Sequence, residues 1–253
     1  MNLFDLSGKT ALITGASRGI GRAIAVAMAG AGADLALVAR GADGLAETVR
    51  LATEHGRKAI SIKADVTRQE EVAEAAAAAI GHFGQVDILV NNAGGSNFIV
   101  PFADLRLPGW DKIMKLNLTS AVYACHAVGR HMLERGSGSI VNVASVAGVA
   151  SAPMLSPYGA AKAGLISLTK SLAVEWAQAG VRVNALCPGW TATELNRDLW
   201  DNADGGMTTV AAVPMRRWGR AEEMAGPAVF LASGAASYVT GQAIVVDGGQ
   251  TVI

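Results

Sequence analysis

The strongest constraint on the fold is a rhythm. Short apolar runs alternate with longer stretches of helical character along the whole chain. The runs are Thr10–Thr14, Asp34–Ala39, Ala59–Lys63, Val86–Val90, Ser139–Val143, Val181–Leu186 and Ala243–Val246. They are rich in Val, Ile and Leu and nearly continuous, which suits strands covered on both faces rather than strands with one wet face. Helical stretches lie between them at Ile20–Ala29, Leu45–His55, Gln69–Phe83, Trp110–Glu134, Pro157–Gln178 and Ala221–Leu231. Strand, helix and strand in repetition predict right-handed parallel crossovers and a doubly wound α/β sheet with helices on both faces.

Nothing divides this pattern. The 253 residues contain no Pro-, Gly- and Ser-rich linker and no internal repeat. One domain over 1–253 is the economical expectation, and a chain of this length needs no covalent staple for its core. The rhythm fails only over Trp190–Arg220, where three of the five tryptophans sit among polar residues. A loop that long inside a compact domain predicts a binding lid.

The first βα turn reads Thr14-Gly15-Ala16-Ser17-Arg18-Gly19-Ile20-Gly21. Glycines let backbone approach a ligand closely, and the following helix start offers free N–H groups and a positive dipole to a phosphate. Taken alone, the turn is equally an ordinary tight connection. Its place after the first strand favours a dinucleotide site at Gly15, Ser17, Arg18, Gly19, Ile20 and Gly21. In such folds an acid near the end of the second strand binds a ribose 2′-hydroxyl, whereas arginine accepts a 2′-phosphate. Here Ala39 holds the acidic position and Arg40 follows, so NADP(H) is expected over NAD(H). Asp65 and Val66 at the third strand end are expected at the adenine, and Asn91, Ala93 and Gly94 at the fourth strand end beneath the ribose.

Tyr158 and Lys162 lie four apart in a stretch that Ser156 and Pro157 mark as a helix start, so they share a helical face. A phenol of pKa near ~10 is a poor acid–base catalyst at neutral pH. A nearby ammonium favours the phenolate, which gives the spacing a chemical reason. Ser145 ends the fifth run and would face the crevice at the carboxyl edge of the sheet. Asn117 falls within the long helical stretch, where its side chain could hold a water relaying protons through Lys162. Singly, each residue has a bland reading: a helix cap, a half-buried ring, a solvated lysine.

Composition excludes other classes. The chain has 21 basic and 21 acidic residues and no basic stripe with interleaved aromatics, which argues against nucleic-acid binding. Cys125 and Cys187 form no CxxC, so neither a disulfide framework nor a metal site is expected, and a reducing cytoplasm fits. No basic, apolar leader opens the chain, and no uncharged apolar stretch reaches the roughly 20 residues a membrane span needs.

Taken jointly, Thr14–Gly21, Asn91–Gly94, Asn117, Ser145, Tyr158 with Lys162, Pro188-Gly189, and Val239–Gln242 with Val246–Gly249 resemble the short-chain dehydrogenase/reductase family over nearly the whole chain. The resemblance implies a seven-stranded Rossmann fold and an Asn117–Ser145–Tyr158–Lys162 tetrad. Tyr158 would be the acid/base, and Lys162 would lower its pKa and bind the nicotinamide ribose. Ser145 would orient the substrate oxygen. Pro188, Gly189, Thr191 and Thr193 would lie beside the nicotinamide and its carboxamide. It also implies a homo-oligomer, commonly a tetramer.

Within the family the chain is most similar to 3-oxoacyl-(acyl-carrier-protein) reductases and nearby sugar or polyol dehydrogenases. Carrier-protein reductases place basic residues where this chain has Gly136 and Val174, although Arg130 and Arg135 are near. The substrate pocket is expected from Gly95–Val100, Ser145, Val146–Gly148, Met154, Leu155, Tyr158 and Trp190, a mostly apolar lining including Ala147. The leading expectation is an NADPH-linked reductase of a ketone or 3-oxoacyl group, carrier-linked or free. The alternatives are a gluconate-type or polyol dehydrogenase and a non-catalytic cofactor-binding regulator.

Overall fold

The computed structural model describes residues 2–96 and 98–252. Seven strands form one parallel sheet: β1 (Thr10–Thr14), β2 (Asp34–Ala39), β3 (Ala59–Lys63), β4 (Ile88–Asn91), β5 (Gly138–Val143), β6 (Val181–Pro188) and β7 (Ala243–Val246). Their order is β3-β2-β1-β4-β5-β6-β7, and every neighbouring pair is parallel. The main helices are α1 (Gly19–Gly30), α2 (Ala42–Thr53), α3 (Gln69–Phe83), α4 (Leu107–Met114), α5 (Ser120–Arg135), α6 (Ser156–Trp176) and α7 (Ala221–Ala232).

Successive strand residues point to opposite faces, so a continuous apolar run serves two cores at once. Ile13, Leu35, Leu37, Ile88 and Val141 pack with Ile24, Met28, Met224 and Val229 of α1 and α7. Their neighbours Leu12, Ala36, Val38, Leu89 and Ile140 pack with Val72, Ala79, Val128 and Met132 of α3 and α5. The edge strands β3 and β7 are only partly buried, as one-sided pairing dictates.

After β1 the chain winds outward through β2 and β3, then returns to place β4 on the other side of β1. At that reversal the crossovers diverge and open a crevice beyond the carboxyl ends of the strands. The opposite, amino-terminal edge is clamped instead. Buried Asp87 accepts from the Thr10 backbone N–H at 2.9 Å and pairs with Arg135 at 3.0 Å and Lys9 at 3.7 Å.

Three expectations need correction. The stretch Trp110–Glu134 is not one helix: α4 begins at Leu107 and a π-helical segment, Lys115–Thr119, separates it from α5. The fourth strand runs Ile88–Asn91 rather than Val86–Val90, because Val86 and Asp87 belong to the clamp. Trp190–Arg220 is not wholly irregular. Thr191–Ala192 pairs with Gly219–Arg220, and one helical turn spans Arg197–Trp200. No helix among the described residues is long and apolar enough to cross a membrane.

Candidate active site

A cleft of about 1010 Å³ follows the crevice from the glycine turn to the lid. At its phosphate end, Gly15 has φ +66°, and a Cβ there would lie 2.8 Å from the Ala93 Cα. At Gly21 a Cβ would lie 2.3 Å from the Gly15 carbonyl oxygen. The turn is therefore packed against the end of β4, with no room for side chains at either position. Asn92 Nδ2 donates to the carbonyls of Thr14 and Gly15, both at 3.1 Å. Thr14 Oγ1 accepts from the N–H groups of Asn92 and Ala93. Arg22 braces the turn from behind, donating to the carbonyls of Ser17 and Gly44 and to Thr48.

The first turn of α1 carries no side-chain cap and no acidic residue. Its N–H groups open onto the cleft, which suits a diphosphate. Gly15, Ser17, Arg18, Gly19 and Ile20 line the cleft as expected, whereas Gly21 does not: it is packed behind the turn. Arg40 is exposed at the rim with buried Ala39 before it, and Asp65 and Val66 lie opposite. Asp65 is held below the usual carboxylate range, first by the Thr67 backbone N–H, against some cost of burial. The Thr67 hydroxyl and the charges of Arg40 and Arg68 assist.

Ala93 and Gly94 line the floor, but Asn91 does not. Its amide is buried and donates to Asn142 Oδ1 at 2.9 Å and to the Cys125 sulfur. Strand alternation decides this: Asn91 points into the core, and its neighbour Asn92 takes the cleft position.

At the chemical end, Ser145 follows β5 and is buried. Its Oγ accepts from the Ala147 N–H at 3.1 Å and lies 3.5 Å from the Pro188 carbonyl. One lone pair is taken by Ala147, and the hydroxyl proton is directed at the Pro188 carbonyl and the Tyr158 oxygen. Tyr158 and Lys162 sit on the first turns of α6, facing Ser145 across the cleft. Lys162 is buried and donates from Nζ to the Val143 carbonyl at 2.7 Å, with its ammonium 5.6 Å from the Tyr158 ring centroid. Burial pushes Lys162 down to about 8.

Burial pushes the Tyr158 hydroxyl up, and the Ser145 hydroxyl opposes this. Lys162, expected to lower this pKa, is not among the groups acting on the phenol; its ammonium donates to the Val143 carbonyl.

Asn117 is the other correction. It occupies the π-helical segment, is buried, and does not line the cleft. Its Oδ1 accepts from the Gly95 N–H at 2.8 Å, and its Nδ2 donates to Gly95 at 2.9 Å and to Ile113 at 3.0 Å. In a regular helix the Ile113 carbonyl would bond the Asn117 backbone N–H. The wider turn frees that carbonyl, and the side chain takes it. Both amide protons are used on Gly95 and Ile113, so the side chain fixes backbone and keeps one Oδ1 lone pair for a water. A Cβ on Gly94 would lie 2.6 Å from Asn117 Oδ1 and 3.1 Å from Lys162 Nζ, so both residues converge beneath that glycine.

The far wall comes from the end of β6 and the lid. Pro188, Gly189, Trp190, Thr191 and Thr193 line it. Trp190 meets Trp218 edge to face at 5.5 Å, and Thr193 and Asn196 cap one another. The segment reaches across the cleft. Thr193 Cγ2 would be 3.3 Å from a Cβ on Gly19, and Leu195 Cδ2 would be 2.6 Å from one on Gly95.

Of the expected substrate lining, Gly95, Val146, Ala147, Leu155 and Trp190 are in place. Ser96, Phe98, Ile99, Val100, Gly148 and Met154 are not, and Asn97 lies outside the described residues. Phe98 turns to pack on Gly109 of α4, and the Val100 N–H bonds the Met154 carbonyl, which closes the two loops on each other. Glu194, Leu195 and Asn196 of the lid also line the cleft, with Glu194 toward Gly19, and residues 150–153, Gln250 and Thr251 line it unexpectedly, so the wall mixes polar and apolar groups. None of these belongs to a spacing motif. Glu194 and Asn196 fall in the stretch read as a lid, and DGG precedes Gln250 and Thr251.

A family model described as Enoyl-(Acyl carrier protein) reductase matches residues 15–251. Gluconate 5-dehydrogenase from Gluconobacter oxydans is 40% identical, covering 99% of this chain and 98% of the relative. A 3-oxoacyl-[acyl-carrier-protein] reductase from Synechocystis is 39% identical, covering 98% of each. The crystal structure of gluconate 5-dehydrogenase from Burkholderia cenocepacia, in complex with NADP and tartrate, superposes with a TM-score of 0.93. It is 38% identical and covers 100% of this chain and 98% of that one. With the parallel sheet, the glycine turn and Tyr158–Lys162 facing Ser145, these matches place the chain in the short-chain dehydrogenase/reductase family.

Proposed function

We propose that the chain interconverts a small, neutral polyhydroxylated secondary alcohol and its ketone, with NADP(H) as the redox partner. The observation that carries this reading is the meeting of Ser145, Tyr158 and Lys162 in a cleft that runs on to the glycine turn and whose wall also carries Ser151, Gln250 and Thr251. The nicotinamide supplies or takes the hydride. Ser145 turns its hydroxyl proton from the Pro188 carbonyl to the substrate oxygen and orients it. Tyr158, kept protonated by burial, passes its proton to that oxygen as the carbonyl is reduced. Lys162 replenishes charge beside it and holds the ribose. In the oxidative direction the phenolate is required, so that direction gains with alkaline pH.

Arg40 and Arg18 favour the 2′-phosphate, because the position that would hold a ribose-binding acid is Ala39. The cations among the described lining residues are Arg18, Arg22, Arg40 and Lys162, and the three arginines belong to the phosphate end. A substrate carboxylate would find no guanidinium beside Trp190. The carrier-linked 3-oxoacyl reading weakens on this structure. Arg135 is committed to Asp87 at the opposite edge of the sheet, and Val174 presents an exposed apolar side chain.

The test is NADPH oxidation across erythrulose, ketogluconates and acetoacetyl thioesters. Erythrulose is expected to exceed the thioesters in kcat/KM by about tenfold or more, the discrimination a polar site can supply. The reverse order would refute the substrate class.

A further inference from the structure

The C-terminal turn after β7 is built more firmly than a chain end requires. Asp247 Oδ1 accepts from the Gly249 N–H at 2.9 Å, and its Oδ2 accepts from the Thr251 N–H and hydroxyl, both at 2.8 Å. Gly248 accepts from the Met215 N–H at the base of the lid, at 3.2 Å. The Gly189 N–H bonds the Val246 carbonyl at 3.0 Å, and a Cβ on Gly189 would lie 2.8 Å from the Asp247 Cα. The turn is thus pressed between β6 and the lid, and it delivers Gln250 and Thr251 to the cleft wall.

Gln250 is the odd member of this arrangement. Its Oε1 is buried and has no hydrogen-bond partner among the described residues, although it lies 3.2 Å from where a Gly189 Cβ would be. A buried polar atom left unpaired is costly, so a fixed turn holding one in the cleft wall against Gly189 calls for a partner from outside the chain. The local backbone donors are already used by Asp247 and Val246. A primary amide offers an acceptor and two donors, a match for a hydroxyl that both gives and takes. A methylene chain would leave it unpaired.

We propose that Gln250 is a specificity-determining residue that pairs with a substrate hydroxyl on a carbon beyond the reacting one. This rests on the polyol reading above and deepens it.

The test compares kcat/KM for erythrulose and for butanone, with NADPH, in the wild type and in Gln250→Met, which keeps the volume but removes the amide. Butanone turnover should stay within about twofold, while erythrulose loses about tenfold or more, the loss expected for one orphaned hydrogen bond. The NADPH Kd should not move. An unchanged erythrulose-to-butanone ratio overturns the proposal. So does a weaker NADPH Kd with that ratio unchanged, which would assign the amide to the cofactor carboxamide. If the Met variant does not fold, Gln250→Asn must show the same selective loss, and an unchanged ratio there overturns the proposal equally. A wild type that does not prefer erythrulose over butanone would sink the polyol reading itself, a failure visible before any variant is made.

Discussion

Replacing Lys162 with methionine should make the protein more stable at neutral pH while abolishing catalysis. Lys162 is buried, and burial lowers its pKa from 10.5 to about 8. At about 1.36 kcal/mol per pKa unit, holding the charged form in this site costs the folded state about 3 kcal/mol. The variant also forfeits the hydrogen bond to Val143, worth about 1 kcal/mol. The net gain is about 2 kcal/mol, or roughly 4–8 °C in melting temperature for a chain of this size.

The pH dependence separates this cause from simple repacking. Between about pH 8 and about pH 10.5 the unfolded chain still holds the lysine proton while the folded one has released it, so wild-type stability rises with pH. The cost is fully present below the folded pKa and disappears as pH passes the unfolded value. Thermal melts followed by circular dichroism without cofactor, near pH 7 and near pH 9.5, should show the variant's advantage shrinking at the higher pH. A variant less stable than wild type at neutral pH, or an advantage independent of pH, would refute the reasoning.

Tyr158→Phe should lower turnover by about a thousandfold, within the span general acid–base groups contribute, with the NADPH Kd unchanged by fluorescence titration. In the wild type, reduction should fall and oxidation rise as pH approaches the raised Tyr158 pKa, checked by initial rates in each direction. Arg40→Ala should weaken NADPH by about tenfold, the loss of one charge-assisted phosphate contact, and leave NADH unchanged. Equal effects on both cofactors would remove the basis for the NADP(H) preference. Asp87→Ala should destabilise by about 1–3 kcal/mol, because it leaves the buried Thr10 N–H unpaired and takes the carboxylate from the part-exposed Arg135. Denaturant melts measure this, and kcat should hold because the clamp lies on the edge away from the cleft.

The sheet was legible in the sequence because its signal is local. A run such as Thr10–Thr14 must be buried on both faces, and no neighbour can alter that demand. The glycine turn, Ser145, Tyr158 and Lys162 were legible for a related reason: a turn, a strand end and one helical face fix them within a few residues of chain. Asn91 was misplaced because strand parity and register decide between it and Asn92, and a one-residue slip exchanges cleft for core.

Asn117 shows what only tertiary structure settles. Helical periodicity put it within a regular helix, whereas it sits in a π-helical segment with its amide bonded to Gly95. The substrate wall was harder still. Gln250 reaches the cleft because Asp247 folds the chain's end against Gly189, more than sixty residues earlier in the chain, and the base of the lid. By itself the sequence determined the layers, the glycine turn and the shared face of Tyr158 and Lys162, since periodicity and short-range spacing carry them. The third dimension decided which polar groups line the cleft, because contacts between distant segments leave no period in the chain.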